Sequence, residues 1–128
     1  MRYIMLIYSQ APGREMCERD YSGHWTLMDE ASRKGVYVAA EPLPPISTAK
    51  TVRAGQKSGL ITDGPFAETK EQLAGFYILD CQSQDEALAW AQKILPACAN
   101  AAAIEVRPMP GLPARPQSDA ESVVAQKG

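Results

Sequence analysis

The sequence predicts a single α+β domain in which an antiparallel sheet carries two helices on one face. Segments rich in β-branched and aromatic residues read as strands, and two amphipathic stretches have helix-end signals. They follow in the order strand, helix, strands, helix, strand, which is the split β-α-β pattern. The 128 residues, with 45% hydrophobic and 22% charged residues, are typical of one ordinary globular domain.

The strands are predicted from short apolar runs. Residues Arg2 to Tyr8 (RYIMLIY) are apolar at nearly every position, as expected of a central strand covered on both faces. Gly75, just before another such run, permits a close backbone approach. The predicted strands are residues 2–8, 36–40, 76–80 and 103–107, with a hairpin of residues 51–53 and 60–62. The charged segment 68–72 is predicted as a loop.

The first helix is predicted from about Glu15 or Asp20 to Lys34, with Gly35 at the C′ position that glycine favours. On this helix His24 borders the apolar stripe that also contains Leu27, Met28 and Ala31.

The second helix has the clearest start signal in the chain. Ser83 and Glu86 form a capping box, and Pro96 marks the end of the helix. The predicted core-facing residues are Leu88, Ala91, Ile94 and Leu95, with Trp90 at their flank.

Charge and cysteine content exclude several classes of function. A net charge of −2 gives no basis for binding a phosphate backbone, so no nucleic acid is expected as a partner. The apolar run of residues 3–8 is too short for a membrane span or a signal peptide. Three cysteines without paired spacing predict reduced thiols and a cytoplasmic protein. One histidine and no Cys-x-x-Cys predict no metal, and the lack of a glycine-rich phosphate loop predicts no cofactor.

Apolar residues at successive strand positions also predict a homodimer. They place apolar side chains on the helix-free face of the sheet, where a second copy can bury them. The composition changes at residue 110 to Pro, Ala, Ser, Gln and charged residues. We therefore expect a domain of residues 1–109 and a flexible tail of residues 110–128.

The segment TDGPFAETKEQL, residues 62–73, resembles the signature of the DGPF branch of the YciI-related (YCII) proteins. Further matches in the same order are residues 51–53, 75–77, 86–91 and 104–108, so the resemblance covers about residues 1–109. The resemblance implies a ferredoxin-like fold that pairs into a dimeric α/β-barrel, with a pocket between helices and sheet.

Activity is not fixed by the resemblance. Relatives on the wider fold include cofactor-independent isomerases, dehalogenases and monooxygenases, and DGPF proteins are also associated with sigma factors. The YciI branch commonly has an Asp-Pro pair after the second helix, where this chain has Leu95-Pro96. Any acid–base partner supplied by that aspartate is missing here.

The predicted catalytic residues are His24 and Asp63. His24 is the one histidine of the chain, and it matches the helix-one histidine of the YciI branch, which implies a general acid/base role. The alternative is a structural histidine at the helix flank, bonded to a carboxylate or a backbone group. Asp63, before Gly64-Pro65, either forms an Asx-turn or faces the pocket and orients His24.

Three further residues are candidates for substrate binding. Glu68 and Lys70 lie in the signature loop, and Lys70 is the choice for contacting an anion or a carboxylate. The alternative for both is an ordinary solvated loop. Arg107, beside Glu105 near the end of the last strand, is a further candidate, and a structural ion pair is its alternative.

Two functions therefore stay open. The first is a cofactor-independent acid–base enzyme, of the isomerase, lyase or dehalogenase kind, in which His24 moves a proton of a small organic molecule and Asp63 orients it. The second is a non-catalytic dimer that binds a small ligand or a protein and is linked to transcription regulation. An enzyme of the first kind requires His24, whereas a binding module needs only a shaped pocket.

Overall fold

The structure is a computed structural model that describes residues 1–10, 21–55, 59–98 and 100–116. Its strands are β1 (Arg2–Gln10), β2 (Tyr37–Pro42), β3 (Lys50–Arg53), β4 (Leu60–Asp63), β5 (Glu71–Asp80) and β6 (Ala101–Met109). Its helices are α1 (Ser22–Arg33) and α2 (Gln84–Ile94). Short 3₁₀ helices lie between β2 and β3 (Ile46–Thr48) and directly after α2 (Leu95–Ala97).

Four strands form the main sheet in the order β2-β5-β1-β6, and each neighbouring pair is antiparallel. This strand order, with one helix after β1 and one after β5, is that of a ferredoxin-like fold. Strands β3 and β4 form a separate two-stranded sheet inserted between β2 and β5. The predicted α+β class and the inserted hairpin are confirmed.

The sheet has two unlike faces. On β1 the residues Tyr3, Met5 and Ile7 are buried, while the residues between them are partly exposed. The buried set packs in one core with Leu27 and Ala31 of α1, with residues from α2, and with their neighbours on β5. We call this side the helix-covered face. The other side, which we call the open face, carries Ile4, Leu6, Phe76 and Ile78.

Several strands are longer than predicted. Strand β5 begins at Glu71, inside the charged segment expected to be a loop, because Glu71 and Gln72 pair with the end of β1. Strand β6 continues through Pro108. Proline lacks a backbone N–H, but β6 is an edge strand, where that donor is not needed by a second neighbour.

Both predicted helix-end signals are present. Gly35 follows α1 with φ of +75°, a conformation that glycine adopts without steric cost. The Ser83 hydroxyl accepts a hydrogen bond from the N–H of Glu86 at 3.1 Å. The Glu86 carboxylate in turn accepts a hydrogen bond from the N–H of Gln82 at 2.6 Å. In a standard capping box this donor is the N–H of the N-cap residue, which here is Ser83.

The core-facing stripe of α2 differs from the prediction in its membership. Ala87, Trp90, Ala91 and Ile94 are buried, whereas Leu88 and Leu95 are each 41% exposed. The indole of Trp90 lies beneath the ammonium groups of Lys34 and Lys93, at 5.6 and 5.2 Å. The sequence spacing predicted Trp90 at the flank of the core-facing stripe, but its large ring is buried in the core.

Gly75 makes the close approach predicted for it, although it lies inside β5. A Cβ atom there would stand 2.9 Å from the carbonyl oxygen of Glu41 on β2. Other sequence expectations fall outside the described residues: the start of the first helix before residue 21, the reduced state of Cys17, which is one of the three cysteines, and the tail beyond residue 116. Across the described part of the chain, no helix combines the length and apolar character needed to cross a membrane.

Candidate functional site

His24 and Tyr77 form a hydrogen-bonded pair on the helix-covered face. His24 lies in the first turn of α1, and Tyr77 projects from the centre of β5 beneath it. The imidazole Nδ1 and the phenol oxygen are 2.7 Å apart. Tyr77 is almost fully buried and His24 is half-buried, so the pair lies at the border between the core and the outside.

Burial sets the charge state of both groups. It lowers the pKa of the His24 imidazole, while a hydrogen bond with the backbone of Ala97 acts in the opposite direction. Burial also raises the pKa of the Tyr77 hydroxyl well above its ordinary range, with smaller contributions from the nearby Cys98 and Tyr37. At neutral pH both partners are therefore uncharged, and the tautomer of His24 decides which one donates.

The segment after α2 forms the surroundings of this pair. Gly23 approaches it closely, because a Cβ atom on Gly23 would lie 3.2 Å from the Cβ of Ala97. Cys98 follows, with its thiol bonded to the carbonyl of Ile94 at 3.4 Å. Burial raises the pKa of the Cys98 thiol to about 11, so it stays protonated at neutral pH. Within the described residues, the contacts of His24 in this segment are therefore with neutral groups and backbone.

Asp63 is not the partner of His24 within one chain. It ends β4 in the separate two-stranded sheet, and its side chain is 87% exposed. Its carboxylate pairs with the ammonium group of Lys50 on β3, directly across the two strands. The polar side chain bonded to His24 is Tyr77, which lies under the helix, whereas Asp63 lies on the inserted hairpin.

The other sequence candidates are spread over the molecule. Glu68 and Lys70 are exposed in the loop before β5. Arg107 lies on the open face, and its guanidinium pairs with Glu105 two residues away on the same strand, at 3.0 and 3.1 Å. The hydroxyl of Tyr8 donates to that same glutamate at 3.3 Å. The structure does not bring these residues together with His24.

A groove of about 670 Å³ lies beside the open face. It is lined by Tyr8 and Leu73 of the sheet, by the proline-rich residues 43–46, and by residues 65–67 of the signature segment. Its lining is mainly apolar, with Glu71 as its one charged side chain. His24 and this groove therefore lie on opposite sides of the main sheet.

Metal ligands are not gathered at either place. Among the described residues, no three histidine, cysteine, aspartate or glutamate side chains lie close enough together to hold a metal ion.

Tyr77 was missed by the sequence-based reasoning, although a signal for it exists. The alternation along β5 puts Tyr77 on the same face as Leu79, and the histidine at the flank of α1 points toward that face. A buried tyrosine needs a hydrogen-bond partner for its hydroxyl, and the histidine of the overlying helix is the partner within reach. This reasoning would have identified Tyr77.

Comparison with known proteins agrees with the resemblance found in the sequence. The family model for the YCII-related domain matches residues 1–110. The uncharacterized protein R00369 of Rhizobium meliloti (strain 1021) is 48% identical over 95 residues, covering 74% of each chain. A solved structure of 5-chloro-2-hydroxyhydroquinone dehydrochlorinase from Burkholderia phenoliruptrix, in complex with 2,5-dihydroxybenzoquinone, is similar at 19% identity. Its TM-score is 0.47, over 84% of this chain and 92% of that one.

Proposed function

This chain belongs to the YCII-related family, and on that premise we propose that it is a cofactor-independent enzyme in which His24 transfers a proton of a small organic molecule. The observation that carries the proposal is the 2.7 Å contact between His24 Nδ1 and the hydroxyl of Tyr77 at the border of the core. Tyr77 takes the positioning role that the sequence assigned to Asp63.

The charge state of His24 suits a base. Its lowered pKa keeps the imidazole neutral at neutral pH, so it can accept a proton without first losing one. The same burial disfavours the imidazolium ion that results, which favours return of the proton to the product. This cycle fits an isomerisation, in which the proton is returned to another atom of the same molecule, or an elimination, in which the imidazolium passes the proton to the leaving group.

Tyr77 fixes which nitrogen reacts. In the tautomer that carries its proton on Nδ1, the imidazole donates to the Tyr77 oxygen, and Nε2 keeps the lone pair that a base needs. In the other tautomer Tyr77 donates to Nδ1, and Nε2 already carries a proton. The base role therefore requires the first tautomer, and it also requires that Nε2 is not the nitrogen that donates to the backbone of Ala97.

The test combines nitrogen NMR of the imidazole with variants of the pair. At neutral pH we expect the His24 imidazole to carry its proton on Nδ1. We also expect the pKa of this imidazole to lie below that of a free histidine. Small organic acids that raise the melting temperature of the wild type would then be assayed for turnover. His24→Asn should lower turnover by about 100-fold or more, and Tyr77→Phe should lower it while shifting its pH profile.

Tyr8→Phe is the matched control, because it removes a tyrosine hydroxyl from the open face instead. It should leave turnover and the imidazole signals unchanged. A proton found on Nε2 at neutral pH, or full turnover in His24→Asn, would reject the proposal.

The second candidate is a non-catalytic binding module, and the groove beside the open face favours it. The groove is lined partly by the signature segment and lies away from His24. A ligand held there would bind equally well to His24→Asn and to the wild type. That result, without turnover of any bound compound, would support the binding module.

We also propose that the protein is a homodimer and cytoplasmic. The open face supports the dimer, because Ile4, Leu6, Phe76 and Ile78 lie there only partly buried. A second copy that covers these side chains would remove apolar surface from water. Sedimentation should give twice the chain mass, and a monomer at all concentrations would reject the dimer.

A further inference from the structure

We infer that the hydroxyl of Ser9, at the end of β1, is a hydrogen-bond donor for an oxygen atom of the molecule on which His24 acts. The inference rests on the proposed function and deepens it, because it names a second residue that contacts the substrate and the chemical class of that substrate. The class is a small carbonyl compound with a hydrogen atom on the carbon next to the carbonyl group.

Ser9 is a buried polar residue whose hydroxyl has no partner. The alternation of burial along β1 continues through Ser9, so its side chain lies on the helix-covered face with Met5 and Ile7. It is only 8% exposed, and among the residues that the structure describes it is the one buried member of the polar and charged classes. Within the same part of the chain, no hydrogen bond joins its hydroxyl to another group.

A buried hydroxyl without a hydrogen bond destabilises a folded protein. It has given up its contacts with water, and an apolar group of similar shape in its place is neutral or stabilising. Unpaired buried polar groups are rare in proteins, and a role in ligand binding or catalysis is one of the reasons for keeping one. The Ser9 hydroxyl is therefore suited to a ligand that brings the missing acceptor atom.

Contacts between neighbouring segments place Ser9 at the same end of the sheet as His24. Ser9 pairs with Ala101, the first residue of β6. The N–H of Ala101 donates to the carbonyl of Cys98 at 3.4 Å, and Cys98 lies close enough to Tyr77 to raise the pKa of its hydroxyl. Tyr77 in turn is bonded to His24. Ser9 therefore lies next to the segment that surrounds the histidine, on the same face of the sheet.

The strand register limits the size of a molecule that touches both groups. Tyr77 lies opposite Met5 on β1, and Ser9 follows four residues after Met5. At about 3.3 Å per residue, the two positions on the strand are about 13 Å apart. A molecule held between Ser9 and the His24–Tyr77 pair is therefore a small one.

The groups around His24 favour an uncharged substrate oxygen. In the described part of the segment after α2, the thiol of Cys98 and the backbone of Ala97 are the neighbours of the pair, and both are neutral at neutral pH. These groups offer no cation to an anionic substrate, whereas a carbonyl oxygen needs only a hydrogen-bond donor. The Ser9 hydroxyl is such a donor.

A carbonyl group also gives the proton transfer by His24 a chemical purpose. When the imidazole removes a proton from the carbon next to a carbonyl, the electron pair of the C–H bond forms a C=C bond, and the carbonyl π electrons move to the oxygen. The Ser9 hydroxyl donates to that oxygen, and this hydrogen bond strengthens as negative charge develops there. Return of the proton from the imidazolium to another atom of the same molecule completes an isomerisation.

The first test needs no ligand. Ser9→Ala removes the unpaired hydroxyl, so the melting temperature measured by calorimetry should stay the same or rise by up to about 4 °C. Ser47→Ala removes an exposed hydroxyl and is the control, which should melt like the wild type. A lower melting temperature for Ser9→Ala would mean that the hydroxyl has a structural role, such as holding a buried water molecule, and would overturn the inference.

The second test adds acetone, cyclopentanone or cyclohexanone to the nitrogen-labelled full chain. At least one of these ketones should shift the NMR signal of the Ser9 amide, and Ser9→Ala should weaken its binding by about three- to tenfold. In heavy water the wild type should exchange the hydrogens next to the carbonyl for deuterium, and Ser9→Ala should slow this exchange by about 100-fold. Ser47→Ala should change neither the binding nor the exchange.

The results separate this inference from the proposed function. Ketone binding that depends on Ser9, with no deuterium exchange or with exchange unchanged in His24→Asn, would keep the role of Ser9 and reject His24 as the base. Deuterium exchange that depends on His24 but is unchanged in Ser9→Ala would do the reverse. If none of the ketones shifts the Ser9 signal, or if Ser9→Ala binds them as tightly as the wild type, the inference is overturned.

Discussion

The two faces of the main sheet are built from alternate residues of the same strands, and their environments differ. Leu79 on the helix-covered face is fully buried, whereas its neighbour Ile78 on the open face is only partly covered. Both side chains are of similar size and equally apolar. The difference shows that the helices bury the apolar side chains of one face, while those of the other face stay partly exposed in one chain.

Shortening a side chain on the helix-covered face should have the largest effect. Leu79→Ala would leave a cavity in a packed core and should lower the free energy of unfolding by about 2–5 kcal/mol. Ile78→Ala removes a similar number of atoms from the open face and should cost clearly less at concentrations where the protein is monomeric. Urea unfolding of both variants measures the difference, and equal losses would mean that the two faces are equally buried in one chain.

Acidification should have a smaller effect, specific to the helix-covered face. The pKa of His24 is lowered in the folded protein, so between pH 6.5 and that lowered pKa the unfolded chain binds more protons. The stability contributed by the neutral imidazole is therefore present at neutral pH and is lost as the pH falls through this range. His24→Asn should show a flatter dependence of unfolding free energy on pH than the wild type. Identical slopes would contradict the burial of the imidazole.

Breaking the ion pair on the open face should have the smallest effect. Arg107→Gln removes the exposed pair with Glu105, and such pairs contribute at most about 1 kcal/mol. We expect a change in unfolding free energy below about 0.5 kcal/mol, and a smaller one at high salt. A larger loss would instead support the structural ion pair as the role of Arg107, whereas a loss of ligand binding at unchanged stability would support the substrate-binding role that the sequence suggested for it.

Local signals in the sequence predicted the elements of this fold well. Gly35 ends α1 because it has no Cβ to oppose a positive φ, Ser83 starts α2 through its hydroxyl, and the signature segment joins the inserted hairpin to β5. The lengths of β5 and β6 were underestimated, because pairing with β1 extends a strand into residues that are polar or proline. Pairing is a property of two strands and is not visible in either one alone.

The candidate site was only half predictable. His24 could be singled out as the one histidine on the flank of an amphipathic helix. Its partner depended on the side of the sheet that α1 covers, and Tyr77 lies there, whereas Asp63 pairs with Lys50 on the inserted hairpin. The domain limit of residues 1–109 and the tail of residues 110–128 stay predictions.

By itself, the sequence determined the α+β class, the family and the position of the histidine, because these depend on composition, spacing and end signals along the chain. The tertiary structure alone decided that a tyrosine bonds to His24, that Trp90 enters the core, and that the hairpin stands apart from the main sheet. These features depend on contacts between residues that are far apart in the sequence. Strand register and the placement of the helices determine which of those residues come into contact.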